Sequence, residues 1–363
     1  MITQTPKNSE VEVTLIGTGG GYGESVVLKI GLDTWIIVDS CINPNTREPL
    51  ALEYLIKIKA DLSKVALVIC THWHNDHIKG LSKILVKCPN SEFCFSAVND
   101  LDKFLLLCEL DYAKTLQGTK SSTGEFAKCL QIINERGSYY VKAQSNLLIK
   151  SLDLKDIRFE IFALSPSPKV VKDFDGEISQ LITEFGTRNT AIIHKSPNNK
   201  SVVLLLKFNE NRVLLGADLE IGQSEHEGWR HIVKYSDAKD KHKSSLYKIS
   251  HHGSQNGYIS EIFDILVNDG SVLKLTPYKS SGLPTPEMLE VYSKHSEHIF
   301  LTSPTVVSKK AKKRDKSIEK IINRTVISIS EVKFTHGVVR SRMDYISGEN
   351  TWSTEVFEAG LKQ

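Results

Sequence analysis

No apolar run in this 363-residue chain is long enough to cross a bilayer. A membrane helix needs about 20 predominantly apolar residues, whereas the longest unbroken stretches, Val65 to Cys70 and Val202 to Leu206, are of strand length. The opening residues MITQTPKNSEVEV hold no apolar core of a secretory leader, so the expected location is the cytoplasm. Cysteine is scarce as well. Six residues at no paired or metal-like spacing, mostly inside apolar segments (Cys70, Cys94, Cys108), fit reduced core thiols better than disulfides. With only 11 prolines and 22 glycines, 40% hydrophobic and 25% charged residues, the composition excludes global disorder and fibrous architectures. The net charge of +3 is too small to imply nucleic-acid binding by itself.

What is present is an interleaving of short β-rich runs and helical patterns. Glu12 to Gly17, Ser25 to Ile30 and, after a Gly31-Leu32-Asp33 turn, Thr34 to Asp39 read as a β-meander. The apolar set Leu52, Leu55, Ile56 and Ile58, opened by Pro49 and closed before Asp61, suits a short amphipathic helix. VALVIC is then a buried strand that empties into THWHNDH. Helical patterns near Leu101 to Leu110 and Glu125 to Ile133, followed by strand-like SYYVKA and NLLIKSL, mark residues 98–157 as an elaboration of the core fold. Strand patterns resume at Arg158 to Leu164, Ser201 to Phe208, Arg212 to Gly216, Ser245 to Ile249 and Val272 to Leu275. Interleaved elements of this kind imply an α/β class with layered sheets, and no repeat of fixed period stands out. Residues 309–316, KKAKKRDK, carry six positive charges and one negative, which suits either a solvated surface run or a contact to a phosphate backbone.

Chemistry concentrates in His72-Trp73-His74-Asn75-Asp76-His77. The chain leaves the sheet there, at the carboxyl end of a buried strand, where open α/β sheets place their sites. Imidazole and carboxylate both suit borderline divalent cations. His72 and His74 can reach one ion and Asp76 and His77 a neighbouring one, while Gly80 leaves room for the next helix to pack closely. Histidines and an aspartate crowded behind VALVIC have little reason to be there without a metal. Trp73, between two ligands, is either packing or a platform for a base.

HxHxDH after an apolar strand resembles the signature of the metallo-β-lactamase superfamily. The resemblance implies an αββα sandwich of two mixed β-sheets flanked by helices, with a dinuclear site at one edge. LLGAD, ending at Asp218, is similar to that family's bridging-aspartate motif, and Tyr247 to Ser254, YKISHHGS, to the motif of its last histidine. Asp39, ending TWIIVDS, matches the aspartate that buttresses the metal loop from behind. The implied ligand set is His72, His74, Asp76, His77, Asp218 and one ring of the His251-His252 pair, the resemblance favouring His252 with His251 turned toward the substrate. The GHTxGS element that supplies a further histidine in many members is absent, which leaves His194 as a candidate extra ligand.

GYGES (residues 21–25), NNKSVVLLL, LLGAD and HHGS together resemble the soluble hydrolase domain of ComEC-like competence proteins. The glycines of GTGGGYG lack a P-loop lysine and serine and fit a tight hairpin turn of that family. The chain departs from the group at Ser281 to Pro286, where its usual glycine-histidine-proline motif has no histidine. IFLTS and HGVVRSR are again similar to the end of the domain, so residues 1–363 are expected to form a single domain whose C-terminal segment, 305–363, completes the second sheet.

The chemistry this implies is hydrolysis assisted by two divalent ions. Zinc suits histidine-rich ligation and manganese is the alternative. Ions sharing Asp218 lower the pKa of a bridging water toward neutrality, Asp76 orients it and the other ligand loop faces the substrate oxygens. A phosphodiester is the expected substrate, with nucleic acid as one form of it. Hydrolysis of a non-phosphate ester, thioester or lactam is the first alternative. A metal-holding subunit or sensor of a DNA-uptake or defence system, with a separately encoded protein partner and little turnover, is the second.

Overall fold

The computed structural model describes residues 2–18, 23–115, 122–155, 157–184, 197–239, 241–305 and 336–363. Its opening meander is β1 (Glu10–Thr18), β2 (Glu24–Ile30) and β3 (Thr34–Val38). Helix α1 (Leu50–Lys57), strand β4 (Val65–Cys70), the single turn α2 (Asn75–Ile78), α3 (Leu81–Lys87) and β5 (Glu92–Ser96) follow. The elaboration contributes α4 (Leu101–Thr115), α5 (Ser122–Arg136), β6 (Tyr140–Ala143) and β7 (Leu147–Leu154). Beyond it come β8 (Ile157–Ala163), α6 (Pro168–Glu184), β9 (Leu204–Phe208), β10 (Asn211–Leu215), α7 (Gly228–Tyr235), β11 (Ser244–Lys248) and β12 (Val267–Leu275). The described chain ends with α8 (Pro286–Ser293), β13 (Ile299–Leu301), β14 (His336–Asp344), β15 (Ser353–Glu358) and β16 (Leu361–Lys362).

The strands form two eight-stranded sheets in the orders β15-β14-β1-β2-β3-β4-β5-β6 and β16-β13-β12-β11-β10-β9-β8-β7. Each sheet mixes antiparallel and parallel pairs, as at β2/β3 and β3/β4 in the first and β9/β10 and β10/β11 in the second. Side chains alternate across a strand, and the apolar runs use both faces. Ile36 and Val38 of β3 and Leu67 and Ile69 of β4 point between the sheets, where they meet Leu204, Leu206 and Val213. Ile37, Val68 and Cys70 point the other way, onto helices α1 and α3 to α6. On the second sheet Leu205, Leu214 and Leu273 pack under Trp229 and Ile232 of α7 and Met288 and Tyr292 of α8. Three apolar layers and two sheets make an αββα sandwich, the α/β class expected. All six cysteines are buried in the apolar layers, and no described helix is long and apolar enough to cross a membrane.

The C-terminal strands correct one expectation. Among the described residues of that segment, β14 and β15 extend the first sheet and Leu361–Lys362 joins the second. β1 is buried at every position after Glu10 and needs a ladder partner on its free side. β14 supplies it along the whole length, from Glu10 opposite Asp344 to Thr18 opposite His336. The buried Glu12–Arg342 pair, Oε2 to Nε 2.8 Å, lies across that junction. The basic run at 309–316 lies outside the described residues.

Candidate metal centre

The first half of the site hangs from the carboxyl ends of β3 and β4. Asp39, just past β3, adopts a left-handed φ of 60°, and its carboxylate accepts from three donors. Thr71 N binds Oδ1 at 2.7 Å, Thr71 Oγ1 binds Oδ2 at 2.7 Å, and His77 Nδ1 binds Oδ2 at 2.8 Å. Asp39 therefore ties down the loop after β4 and fixes the ring of His77. α2 caps this loop: the amides of His77 and Ile78 both return to the His74 carbonyl at 2.9 Å. Gly23 shows how tightly the loop is held. Its φ is +104° and a Cβ there would lie 1.8 Å from the Asp76 carbonyl oxygen, so only glycine fits. Gly80, at φ +89°, starts α3 with Ile42 and Pro49 packed close above it.

The second half comes from the other sheet. β10 ends in Leu215, and Gly216 and Ala217 carry the chain to Asp218. β11 ends at Lys248, and His251 and His252 follow at left-handed φ values of 45° and 53°. His252 Nδ1 donates to the Thr276 carbonyl at 2.9 Å, which points its Nε2 across the gap between the sheets.

There the groups converge. Asp218 Oδ2 lies 3.3 Å from His77 Nε2 and 3.4 Å from His252 Nε2. Asp76 Oδ2 lies 3.7 Å from His252 Nε2 and 4.0 Å from His77 Nε2. Ligand atoms of Asp76, His77, Asp218 and His252 all fall within 4.8 Å of one another. The His72 ring is 4.3 Å from that of His77 and 5.0 Å from that of His74, which extends the cluster outward. The structure thus brings the six implied ligands to one edge of the sandwich.

The donor chemistry fits divalent ions. His72, His77 and His252 are buried, each with Nδ1 engaged by protein: Thr71 Oγ1 at 3.0 Å, Asp39 and the Thr276 carbonyl. Their Nε2 atoms and Asp218 Oδ1 have no hydrogen-bond partner. A buried polar atom without a partner costs about 1–3 kcal/mol, and a histidine whose Nδ1–H is held by protein presents its Nε2 lone pair to a metal. Burial pushes the His72 pKa well down, toward the neutral ring a metal needs. At His252 burial opposes the charge, yet Asp218 and Asp76 push its pKa up to about 10. His77 is likewise held well above its usual range, against burial, by Asp218, Asp39 and Asp76.

The double histidine separates cleanly. His252 faces the carboxylates, whereas His251 places Nδ1 2.8 Å from Asn256 Oδ1 and Nε2 3.2 Å from Asn198 Nδ2, with its ring 6.2 Å from that of His252. Glu220 Oε1 lies 3.6 Å from His251 Nδ1. His194 lies outside the described residues, as do residues 19–22 of the glycine turn. Trp73 is buried core: its ring stacks 5.1 Å from Phe174 and lies 5.3 Å from Phe104, closed off from any base. Sequence reasoning missed Thr71, the Thr276 carbonyl and the buried pair Glu24–Lys248 behind Asp218. Neither member of that pair stands out in the sequence, each being a charged residue at a strand end.

Two sheets presenting paired histidines and aspartates to one edge make a cluster that could hold metal ions. The chain belongs to the metallo-β-lactamase superfamily, whose family model matches residues 18–273. No curated protein matches it. Among solved structures, it is similar to human tRNase Z, short form, at 13% identity and TM-score 0.37, over 80% of this chain and 91% of that one. It is also similar to the hydrolase AbOPH of the β-lactamase superfamily (13% identity, TM-score 0.36, 59% of this chain and 72% of that one). The metallo-β-lactamase MIM-2 is a third (10% identity, TM-score 0.31, 61% and 62%). At these values none of the three bears on the substrate.

Proposed function

We propose that this chain hydrolyses phosphodiesters, as a phosphodiesterase or nuclease. The reading rests on one observation above all: the HHGS pair splits into His252, aimed at the carboxylates, and His251, held beside them by two asparagines. This division of labour suits a charged tetrahedral substrate whose oxygens need a donor next to the ions. The resemblance of GYGES, LLGAD and HHGS to ComEC-like hydrolase domains supports the same class.

Two divalent ions held by His72, His74, Asp76, His77, Asp218 and His252 would supply charge neutralisation for the phosphate and a water of lowered pKa. Zinc matches the imidazole-rich donors, with manganese the alternative. The protein's own part is positional. Asp76, whose side chain is 18% exposed against 3% for Asp218, is the carboxylate open to substrate and accepts a hydrogen bond from the attacking water. His251, anchored at Nδ1 by Asn256, would turn its Nε2 toward the departing oxygen in place of its contact with Asn198. Asp39 keeps the His77 ring in place throughout.

The test is a substrate panel with zinc and manganese in parallel: bis-p-nitrophenyl phosphate, single- and double-stranded DNA, RNA, a cyclic nucleotide, a thioester and a lactam. Cleavage of phosphodiesters is expected. Turnover confined to the thioester or lactam would replace the proposal with the non-phosphate alternative, and complete silence from metal-loaded protein would favour a metal-holding subunit that acts with a separately encoded partner. Changing Lys309, Lys310, Lys312 and Lys313 together to glutamine separates polymer from small substrate. Each lost phosphate contact reduces the salt slope of nucleic-acid binding by roughly one unit, so polymer cleavage weakens while hydrolysis of the chromogenic diester stays constant. Equal effects on both substrates would assign the run to solvated surface and the enzyme to small diesters.

A further inference from the structure

A second pair of buried charges stands behind the metal centre and outside its ligand set. Lys248, the last residue of β11, is 2% exposed, and Glu24, the first of β2, is 3% exposed. The two side chains form an ion pair across the sandwich, from the second sheet to the first. Lys248 Nζ also donates to the Ala217 carbonyl at 2.9 Å and lies 3.9 Å from Asp218 Oδ1. One ammonium therefore holds the carbonyl of the left-handed residue before Asp218 and stands within ion-pair range of the carboxylate face turned away from His77 and His252.

Stability does not account for this arrangement. Removing two charges from water is expensive, and replacing a buried pair by apolar residues of similar size is often neutral or stabilising. The pair lies between the sheets behind the site: Glu24 leads into the sheet that carries Asp39, His72 and His77, and Lys248 ends the strand that leads to His252. We propose that Lys248 and Glu24 are positioning residues that fix the Asp218 carboxylate and set the span between the two halves of the metal centre. They touch no ligand atom of the histidines and take no part in bond breaking. Groups that orient first ligands in this way typically contribute 10- to 100-fold in metal affinity.

The inference rests on the metal centre in the proposed function and is independent of its substrate. Its test titrates the full chain with zinc against a chromogenic chelator and records the visible spectrum of the cobalt-loaded protein. The variant Glu24→Gln with Lys248→Met removes both charges at little change in volume, so a native fold by circular dichroism is expected. In that folded variant zinc affinity should fall by about 10- to 100-fold, with an altered cobalt spectrum. Wild-type zinc affinity and an unchanged spectrum in the folded variant would overturn the proposal. If the double variant does not fold, Glu24→Asp, which keeps both charges and shortens the brace by one methylene, is read by the same criteria. Wild-type protein that takes up zinc but cleaves no phosphodiester refutes the substrate reading alone, and wild-type protein that takes up no zinc or cobalt refutes both.

Discussion

Replacing Asp39 with asparagine removes one charge and almost no volume. Asparagine tolerates the left-handed backbone at φ 60°, so the substitution isolates the electrostatic role of the carboxylate. Asp39 Oδ2 accepts from both Thr71 Oγ1 and His77 Nδ1, and Oδ1 accepts from the Thr71 amide. An asparagine amide can satisfy one side only and turns its NH2 toward a donor on the other. Hydrogen bonds to a charged group are worth about 1.5–3 kcal/mol each, and at about 1.4 kcal/mol per factor of ten this amounts to a 10- to 100-fold weaker hold on the His77 ring. Zinc affinity of Asp39→Asn, measured by chelator competition, should drop by that factor while the far-ultraviolet circular dichroism is retained. Affinity equal to wild type in a folded variant would refute the claim that Asp39 presents His77 to the ion.

Two further outcomes follow from other parts of the structure. Asp76→Ala removes the solvent-facing carboxylate of the cluster, and phosphodiester hydrolysis should fall by about 10²- to 10⁴-fold in a protein that still melts cooperatively; retained turnover would place the water elsewhere. Lys274 is buried between the sheets with Nζ donating to the carbonyls of Val13 at 2.7 Å and Val339 at 3.1 Å, and burial pushes its pKa well down. The unfolded chain then holds more protons than the folded one between that lowered value and the ordinary lysine range, so stability rises with pH across the window and levels off below it. Urea midpoints of wild type and Lys274→Met at pH 7 and 9 check this: the variant should lose part of the rise, and identical pH slopes would count against a neutralised lysine.

The first ligand loop was legible because a short apolar strand and its exit loop are local in sequence: VALVIC is β4 as read, and His72 to His77 follow it directly. LLGAD and HHGS were legible through their resemblance to the superfamily's motifs, and each does follow a strand end. Pairing between distant strands was not. HGVVRSRMD is buried along nearly its whole length, so its pattern marks a central strand without naming which sheet it enters. Register and partner come from the whole sandwich, here from β1's need for a second neighbour. Trp73 was ambiguous because an aromatic between two ligands looks alike whether it faces substrate or core; α4 and α6 decide it by closing Phe104 and Phe174 over the ring. The Glu24–Lys248 pair was hidden because its members sit on different sheets, and each alone reads as an ordinary charged residue at a strand end.

The central claim is a centre for two ions held by histidines and aspartates from both sheets. Elemental analysis of protein purified without chelators measures it directly. The account predicts close to two divalent ions per chain, falling to about one or fewer in Asp218→Ala, since that carboxylate faces both His77 and His252. A metal content near zero in folded wild-type protein, after incubation with zinc and with manganese, would contradict it.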